Sequence, residues 1–213
     1  PRQGVAWMAA AANCCGGLAP RRGGRGGMKR CFDVLLLILA VIVLCFPMGL
    51  LVVFVRISST GPALYWSDRI GRNSITFKMP KFRTMRVGTP AVATHLLANP
   101  QAYLTPIGAF LRKTSLDELP QLWSILRGEM SFVGPRPALF NQHDLIGLRT
   151  QAGVDKLLPG LTGWAQVNGR DELSIVDKVA LDVEYLQKKS LAFDVKIMIL
   201  TVFRVLSRDN VTH

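Results

Sequence analysis

The sequence predicts an α+β fold, mainly helical with a small β element, held in the membrane by an N-terminal re-entrant (monotopic) helix. Three observations support this: an uncharged run at residues 34–55, a short β-like stretch, and helical periodicity towards the C-terminus. At 213 residues the chain is long enough for one ordinary domain and too short for two. We expect a disordered leader (1–27), the membrane helix (28–57) and a catalytic domain (58–213).

Residues 1–27 have a low-complexity composition, with four arginines and no acidic residue. Because such a segment cannot bury a core, we expect it to be disordered. The sequence changes in character at Met28, and our hypothesis is that Met28 is the native start and the leader is not native. All four cysteines lie at or before residue 45 and none forms a C-x-x-C pair, which argues against a disulfide framework or a zinc site.

A basic excess persists beyond the leader. Residues 28–213 contain 22 basic residues against 14 acidic ones, a net charge of +8. This charge suits an anionic partner, such as nucleic acid, a membrane surface or a phosphorylated substrate. Nucleic acid is the least suitable of the three, because no recognised binding motif is present and aromatic residues are not interleaved with the basic ones.

The apolar run at residues 34–55 contains no charged side chain. About 20 such residues are needed for a helix to cross a bilayer. Pro47 interrupts the run, and a proline inside a helix removes a backbone hydrogen bond, so a kink or break is expected there. Lys29 and Arg30 precede the run and Arg56 follows it, and basic residues favour the cytoplasmic side. The pattern predicts a helix that enters, bends and returns to one face; a simple span with a proline kink stays open.

The remaining periodicities predict one hairpin and two C-terminal helices. In the stretch 62–85, a turn at residues 71–74 separates two β-like runs. Residues 191–206 form an apolar segment with three charges, which we expect to be either a core helix or a helix in the membrane interface. Residues 171–189 have the spacing of an amphipathic helix. The apolar stripe of this helix is predicted to comprise Leu173, Val176, Ala180, Val183 and Leu186.

The adjacent acids Asp117 and Glu118 stand at a predicted helix start. Ser115 and Glu118 match a capping box, so a purely structural role as a helix cap is one interpretation. A helix start also offers free backbone N–H groups to a phosphate, and a carboxylate there can act beside a substrate phosphate if a metal screens the repulsion. Two adjacent acids would let one act as nucleophile while the other binds metal or handles protons.

Arg136 lies between two prolines, which fix the backbone on both sides of its guanidinium. A guanidinium presented in this way suits a bidentate phosphate clamp, although a surface turn with an idle arginine has the same pattern. Taken one at a time, the further basic candidates are also compatible with solvated surface charges. They are Lys81, Arg83, Arg112 and Arg170.

Six motifs follow one another along residues 28–213. They are Met28-Lys29-Arg30-x-x-Asp33, Arg69-Ile70-Gly71-Arg72, Lys81-Phe82-Arg83-Thr84-Met85, Asp117-Glu118-Leu119-Pro120-Gln121-Leu122, Ser131-Phe132-Val133-Gly134-Pro135-Arg136-Pro137 and Pro159-Gly160-Leu161-Thr162-Gly163-Trp164-Ala165-Gln166-Val167-Asn168-Gly169-Arg170. In this order they resemble the bacterial sugar transferase family, monotopic phosphoglycosyl transferases that start glycoconjugate assembly on polyprenyl phosphate. Any one motif is weak, whereas six in order are specific. The length resembles the small form of the family.

The resemblance implies an enzyme that transfers a sugar 1-phosphate from a UDP-sugar to polyprenyl (undecaprenyl) phosphate and releases UMP. It implies Asp117 as the nucleophile of a phosphosugar intermediate and Glu118 as its metal or proton partner. Mg²⁺ bound by Asp117 and Glu118 is the implied cofactor, because a carboxylate approaching a diphosphate must be screened. The implied substrate-binding residues are Lys81, Arg83, Arg112, Arg136 and Arg170.

The resemblance further implies a protein of the bacterial inner membrane, with its catalytic domain on the cytoplasmic face and membrane lipid as a partner. Two alternatives stay open. In one, the same reaction proceeds through a ternary complex with Asp117 or Glu118 as a base. In the other, the chain is a non-catalytic membrane scaffold, which intact Asp117, Glu118 and Arg136 argue against. The sequence does not reveal which sugar is transferred.

Overall fold

The computed structural model describes residues 25–90, 99–169 and 172–206. Within these ranges helices predominate and the strands are short, which confirms the predicted α+β class. The helices are α1 (Arg25–Ser58), α2 (Gly108–Lys113), α3 (Leu122–Arg127), α4 (His143–Gln151), α5 (Trp164–Val167), α6 (Ile175–Lys188) and α7 (Leu191–Leu206). The strands are β1 (Leu64–Ile70), β2 (Thr76–Phe82), β3 (Ser131–Val133), β4 (Ala138–Leu139) and β5 (Gly160–Thr162). Short 3₁₀ segments lie at Arg72–Ser74, Pro100–Tyr103, Leu116–Gln121 and Val154–Lys156.

α1 is the predicted membrane helix. It has 34 residues and continues through Pro47, so a break at that proline is not formed. Its start at Arg25 lies inside the predicted leader, whose residues 1–24 are outside the described part of the chain. By length and composition α1 can cross a membrane. Large apolar side chains such as Ile42 and Phe46 are 68% and 73% exposed, a surface that water would not favour and a bilayer would.

Apolar contacts hold both halves of α1 against the rest of the chain. Leu37, in the N-terminal half, is buried in a cluster with Ile125 of α3. Val55, near the C-terminal end, is buried in another cluster with Phe82 of β2 and Leu111 of α2. The helix therefore packs along one side and exposes its remaining apolar surface on the other.

Polar contacts also fix the N-terminal end of α1. Lys29 Nζ donates to Asp194 Oδ2 at 2.6 Å and to the Val133 carbonyl at 3.0 Å. The buried Asp33 accepts hydrogen bonds from the Ser131 hydroxyl at 3.1 Å and the Phe132 amide at 3.3 Å. Breaking a buried pair such as Lys29–Asp194 leaves an uncompensated charge, so these contacts bind the helix end firmly to β3 and α7.

The predicted hairpin is confirmed. β1 and β2 pair antiparallel, with Leu64 opposite Phe82 and Ile70 opposite Thr76. The turn lies where the sequence placed it, and Asn73 there has a left-handed φ of 56°, which asparagine tolerates better than most residues. β4 extends the sheet on the other edge of β1, while β3 and β5 form a separate parallel pair.

The two predicted C-terminal helices are confirmed as α6 and α7. The predicted face of α6 was wrong in part, since Val176 is 42% exposed and Asp182 is buried. Asp182 turns inwards because it pairs with Arg149 of α4. The core role predicted for α7 is confirmed, since Ile197 is buried in a hydrophobic cluster. Phe203 is 63% exposed, and a place for α7 in the membrane interface stays a prediction.

Candidate active site

Asp117 and Glu118 lie in the 3₁₀ segment Leu116–Gln121, which leads directly into α3. The chain enters this segment through Ser115, whose φ of 56° is in the left-handed region. Ser115 makes no side-chain cap hydrogen bond, so the capping box is not formed. Both acids are only 8% exposed. Because two neighbouring buried carboxylates are costly, nearby positive charge must compensate them.

Glu118 bridges two cations. Its Oε1 accepts hydrogen bonds from Lys81 Nζ at 2.9 Å and from Arg136 Nη2 at 2.8 Å. Although burial opposes ionisation, Arg136 and Lys81 hold the pKa of Glu118 well below its usual range. Burial lowers the pKa of Lys81, and Glu118 opposes that shift. Glu118 therefore stays ionised and fixes both cations in place.

Asp117 has a different environment from its neighbour. No described residue donates a hydrogen bond to its carboxylate. Burial raises the pKa of Asp117, an effect that Lys81 opposes and Glu118 reinforces. One acid is thus anchored while the other keeps its oxygens available. Such a difference between adjacent acids suits separate roles, in which one carboxylate reacts and the other holds the cations in place.

Arg112 of α2 is close enough to Asp117 for their charges to affect each other. Its Nε donates to Thr84 Oγ1 at 3.0 Å. Burial lowers the pKa of Arg112, and the negative charge of Asp117 opposes that shift. Lys81, Arg112 and Arg136 of the predicted set are therefore all brought to the acids.

Arg69 joins this cluster, although the sequence interpretation did not select it as a site residue. Its Nη1 donates to the Pro137 carbonyl at 3.2 Å and its Nε to Ser67 Oγ at 3.1 Å. Burial and the nearby Arg136 lower its pKa to about 10. The hairpin carried a signal for Arg69. Lys81 of β2 lies opposite the β1 residue that is four positions before Arg69. Since residues four positions apart in a strand point to the same face, Lys81 and Arg69 share one face of the sheet. With Arg69, cations outnumber carboxylates, as an anionic substrate requires.

Close backbone packing presents the Arg136 side chain to the acids. Gly134 and Gly160 meet beside the β3–β5 pair, and a Cβ on either would collide with backbone atoms across the contact. Arg149 of α4 donates to the Arg136 carbonyl at 2.7 Å. Asp182 in turn holds Arg149 through bonds of 2.9 and 2.7 Å to Nε and Nη2. Contacts to both its backbone and its side chain therefore fix the position of Arg136.

A model of the bacterial sugar transferase family matches residues 25–208, most of the chain. The chain belongs to this family. The exopolysaccharide production protein ExoY of Sinorhizobium fredii is 42% identical over 83% of this chain and 85% of its own length. The UDP-glucose:undecaprenyl-phosphate glucose-1-phosphate transferase of Escherichia coli is 37% identical over 83% of this chain and 40% of its own length. The UDP-galactose-lipid carrier transferase of Erwinia amylovora is 38% identical over 85% of this chain and 41% of its own length.

Arg83, predicted to bind substrate in this sugar transferase, contacts the loop after α1. The buried Arg83 donates from Nη2 to the Ser59 carbonyl at 2.7 Å and hydroxyl at 2.8 Å, and from Nη1 to the Thr60 carbonyl. Because these bonds hold the loop after α1, the geometry favours a role in joining the membrane helix to the domain. Arg170 lies outside the described residues.

The two acids of the transferase offer a fitting donor set for Mg²⁺. Glu118 uses Oε1 for its cations, which leaves Oε2 as a donor, and Asp117 keeps both oxygens available. Mg²⁺ is commonly held by one or two carboxylates with substrate phosphates and water. The described residues contain no group of three or more His, Cys, Asp or Glu that could hold a metal. The pair thus has the composition of a phosphate-assisted site.

Proposed function

We propose that this enzyme transfers a sugar 1-phosphate from a UDP-sugar to polyprenyl (undecaprenyl) phosphate and releases UMP. The main support is the contrast between the acids: Glu118 is anchored by Lys81 and Arg136, whereas Asp117 keeps its oxygens available. The names of the Escherichia and Erwinia relatives support the substrate classes. The step would begin the membrane stage of polysaccharide, glycan or glycoprotein synthesis, in keeping with the name of the Sinorhizobium relative.

The reaction consists of two successive displacements at the same phosphorus. An Asp117 oxygen attacks the sugar-bearing phosphorus, and the bond from this phosphorus to the oxygen bridging to UMP breaks. UMP leaves with that electron pair, and a phosphosugar-aspartyl intermediate remains. An oxygen of the lipid phosphate then attacks the same phosphorus and displaces Asp117 as a carboxylate. Lys81, Arg112, Arg136 and Arg69 stabilise the phosphate charge in both steps.

Mg²⁺ is the proposed cofactor, held by Asp117 and Glu118 with the substrate phosphates. When bound, the ion would screen the repulsion between a carboxylate and a diphosphate and favour the ionised form of Asp117. Glu118 would serve mainly to anchor Lys81 and Arg136. In the alternative ternary-complex route, the lipid phosphate attacks directly and one of the acids acts as a base. This route uses the same residues, and the Asp117→Asn experiment in the Discussion distinguishes it from the covalent route.

Chelation is expected to stop UMP release. The purified protein in detergent, given a panel of UDP-sugars and undecaprenyl phosphate, should release UMP from at least one of them. EDTA should lower this rate by about a hundredfold or more, because the metal contributes several kcal/mol of charge stabilisation. Excess Mg²⁺ added afterwards is the control and should restore the rate. An unchanged rate in EDTA would refute the metal, and absence of UMP release from every donor would refute the function.

The fixed ends of α1 support the re-entrant arrangement. Lys29 and Val55 would lie about 40 Å apart along a straight helix, more than the hydrocarbon thickness of about 30 Å. A helix spanning the bilayer would place them on opposite sides. Both are instead held by the same domain, Lys29 by Asp194 and Val55 by Leu111. We therefore propose that α1 enters and leaves on the cytoplasmic face of the inner membrane, where the catalytic domain meets the lipid phosphate.

Single-cysteine labelling is expected to place both ends of α1 on one side. Cys31 and Cys45 are natural exposed cysteines, and the exposed Thr60 lies just beyond the helix. Each of three variants contains a single cysteine, and all its other cysteines are replaced by serine. The first keeps Cys31, the second keeps Cys45, and the third carries Thr60→Cys. An impermeant maleimide should label the Cys31 and Thr60→Cys proteins in inside-out vesicles but not in intact cells. The Cys45 protein is the membrane-core control and should stay unlabelled in both. Labelling of the two ends from opposite sides would establish a span.

A further inference from the structure

The two acids and Arg136 lie at opposite ends of one continuous segment, residues 117–136. From the acids the chain runs directly into α3, and residues 128–130 connect α3 to β3. Arg136 follows three residues after the end of β3. The hydrogen bond between Glu118 and Arg136 then joins the two ends at 2.8 Å. Because the segment closes on itself, the position of α3 relative to β3 affects the distance between Glu118 and Arg136.

The N-terminal end of α1 holds the middle of this segment. Arg30 donates from Nη1 to the Ile125 carbonyl at 2.6 Å and from Nη2 to the Leu126 carbonyl at 2.8 Å. Both carbonyls belong to the last turn of α3, and the last turn of a helix leaves carbonyl groups that need partners. Since a planar guanidinium can bind two acceptors at once, Arg30 fixes this end of α3 in orientation as well as in position.

Asp33, one turn further along α1, holds β3. Its Oδ1 accepts hydrogen bonds from the Ser131 hydroxyl at 3.1 Å and the Phe132 amide at 3.3 Å. Among the described residues β3 pairs with β5 alone, so backbone groups on its other edge need a different partner. Lys29 completes the contact by donating to the Val133 carbonyl at 3.0 Å. Each of the three residues of β3 is therefore hydrogen-bonded to α1.

The polar character of this contact indicates a role beyond anchoring. Leu37, in the next turn of α1, is buried in one cluster with Ile125, and such apolar packing is enough to hold two elements together. Asp33 is only 2% exposed, so its hydrogen bonds must offset the lost hydration of a carboxylate. Apolar packing has no direction, whereas hydrogen bonds define the relative position of the groups they join. Such definition matters beside an active site, where a misplacement of about 1 Å can cost a hundredfold in rate.

We propose that Arg30 and Asp33 are positioning residues of the active site. Arg30 sets the position of α3 and of the acids that precede it, and Asp33 sets the position of β3 and of Arg136 that follows it. The membrane helix thus completes the geometry of the Glu118–Arg136 pair as well as anchoring the chain. The kinetic tests of this proposal rest on the proposed function.

Arg30→Lys keeps the positive charge at the start of α1, but an ammonium lacks the planar fork that binds both carbonyls. The full chain is assayed in detergent with UDP-sugar and undecaprenyl phosphate. We expect kcat for UMP release to fall about tenfold and KM for the UDP-sugar to change less than about twofold, because misalignment is felt mainly in the transition state. Arg127→Lys is the matched control and should keep the wild-type kcat, since Arg127 lies at the same end of α3 but is 58% exposed. A lowered melting temperature with a wild-type kcat would make Arg30 structural and overturn the proposal.

Asp33→Ala leaves the Ser131 hydroxyl and the Phe132 amide without their acceptor. We expect kcat to fall about tenfold, and Asp33→Asn, which keeps an acceptor oxygen, should recover most of this loss. If Asp33 acts through Arg136, adding Asp33→Ala to Arg136→Gln should slow UMP release little further, because the group that Asp33 positions is already gone. Losses that multiply in the double variant would show that Asp33 acts elsewhere and would overturn its assignment.

Denaturant unfolding gives a readout that needs no turnover and so distinguishes this proposal from the function. A double-mutant cycle of Glu118→Gln and Arg136→Gln measures the coupling between the two side chains. This coupling should be weaker in the Arg30→Lys protein than in the wild type, and unchanged in the Arg127→Lys protein. Equal coupling in all three would overturn the proposal. Weaker coupling in Arg30→Lys, when the wild type releases UMP from no UDP-sugar, would refute the proposed function and still support the positioning of the pair.

Discussion

Asp117→Asn is expected to lower UMP release from UDP-sugar by about a thousandfold or more. The amide keeps the size of the side chain but removes the nucleophilic carboxylate, and loss of a covalent nucleophile is among the most damaging changes an active site can undergo. The fold should survive, because no described residue donates a hydrogen bond to Asp117. Removing one of two neighbouring buried carboxylates also relieves repulsion with Glu118.

Mass spectrometry of the intact protein is the decisive measurement. Incubated with UDP-sugar and no lipid, the wild-type protein should gain the mass of a sugar phosphate, whereas Asp117→Asn should gain none. Asp144→Asn, at an exposed position of α4, is the matched control and should form the adduct normally. A wild-type protein that stays unmodified and releases UMP only when lipid is present would favour the ternary-complex route instead.

Local features of the fold were predictable because they depend on residues near one another in the chain. The hairpin at residues 71–74 needed only turn residues between two β-like runs, and it formed as predicted. The amphipathic spacing likewise predicted α6, and the apolar segment at residues 191–206 predicted α7. The buried face of α6 was not predictable, because Asp182 is drawn inwards by Arg149, which is 33 residues away along the chain.

The site shows the same division between local and non-local information. Asp117, Glu118 and Arg136 stand in short motifs, and the structure brings them together. Arg69 also stands in one of the six motifs, but its contact with the site depends on strand register. Arg149 reaches the site only through helix packing, which the spacing of residues does not reveal. Arg83 was selected by the same reasoning as Lys81, two positions away. The two side chains diverge because β2 ends at Phe82 and Arg83 lies beyond the strand: Lys81 contacts Glu118, whereas Arg83 contacts Ser59.

Glu118→Gln is expected to reduce both turnover and stability. The change removes the charge that Lys81 and Arg136 share, and leaves these cations facing each other in a buried site. Loss of one partner from a buried ion pair typically costs about 3–5 kcal/mol. We expect denaturant unfolding to show a loss of this size and UMP release to fall by about a hundredfold. Glu129→Gln is the matched control, because its partner Arg127 is 58% exposed and such surface pairs contribute at most about 1 kcal/mol.

The adduct experiment separates the roles of the two acids. If Glu118 acts by anchoring Lys81 and Arg136 and by helping to hold the metal, Glu118→Gln should still form the sugar-phosphate adduct on Asp117, only more slowly. Asp117→Asn should form none at any time. Complete absence of adduct in a folded Glu118→Gln protein would instead make Glu118 indispensable to the bond-forming step. The first outcome is the expected one, because Glu118 Oε1 is buried and already accepts hydrogen bonds from two cations. An oxygen bound in this way is a poor nucleophile and a poor base.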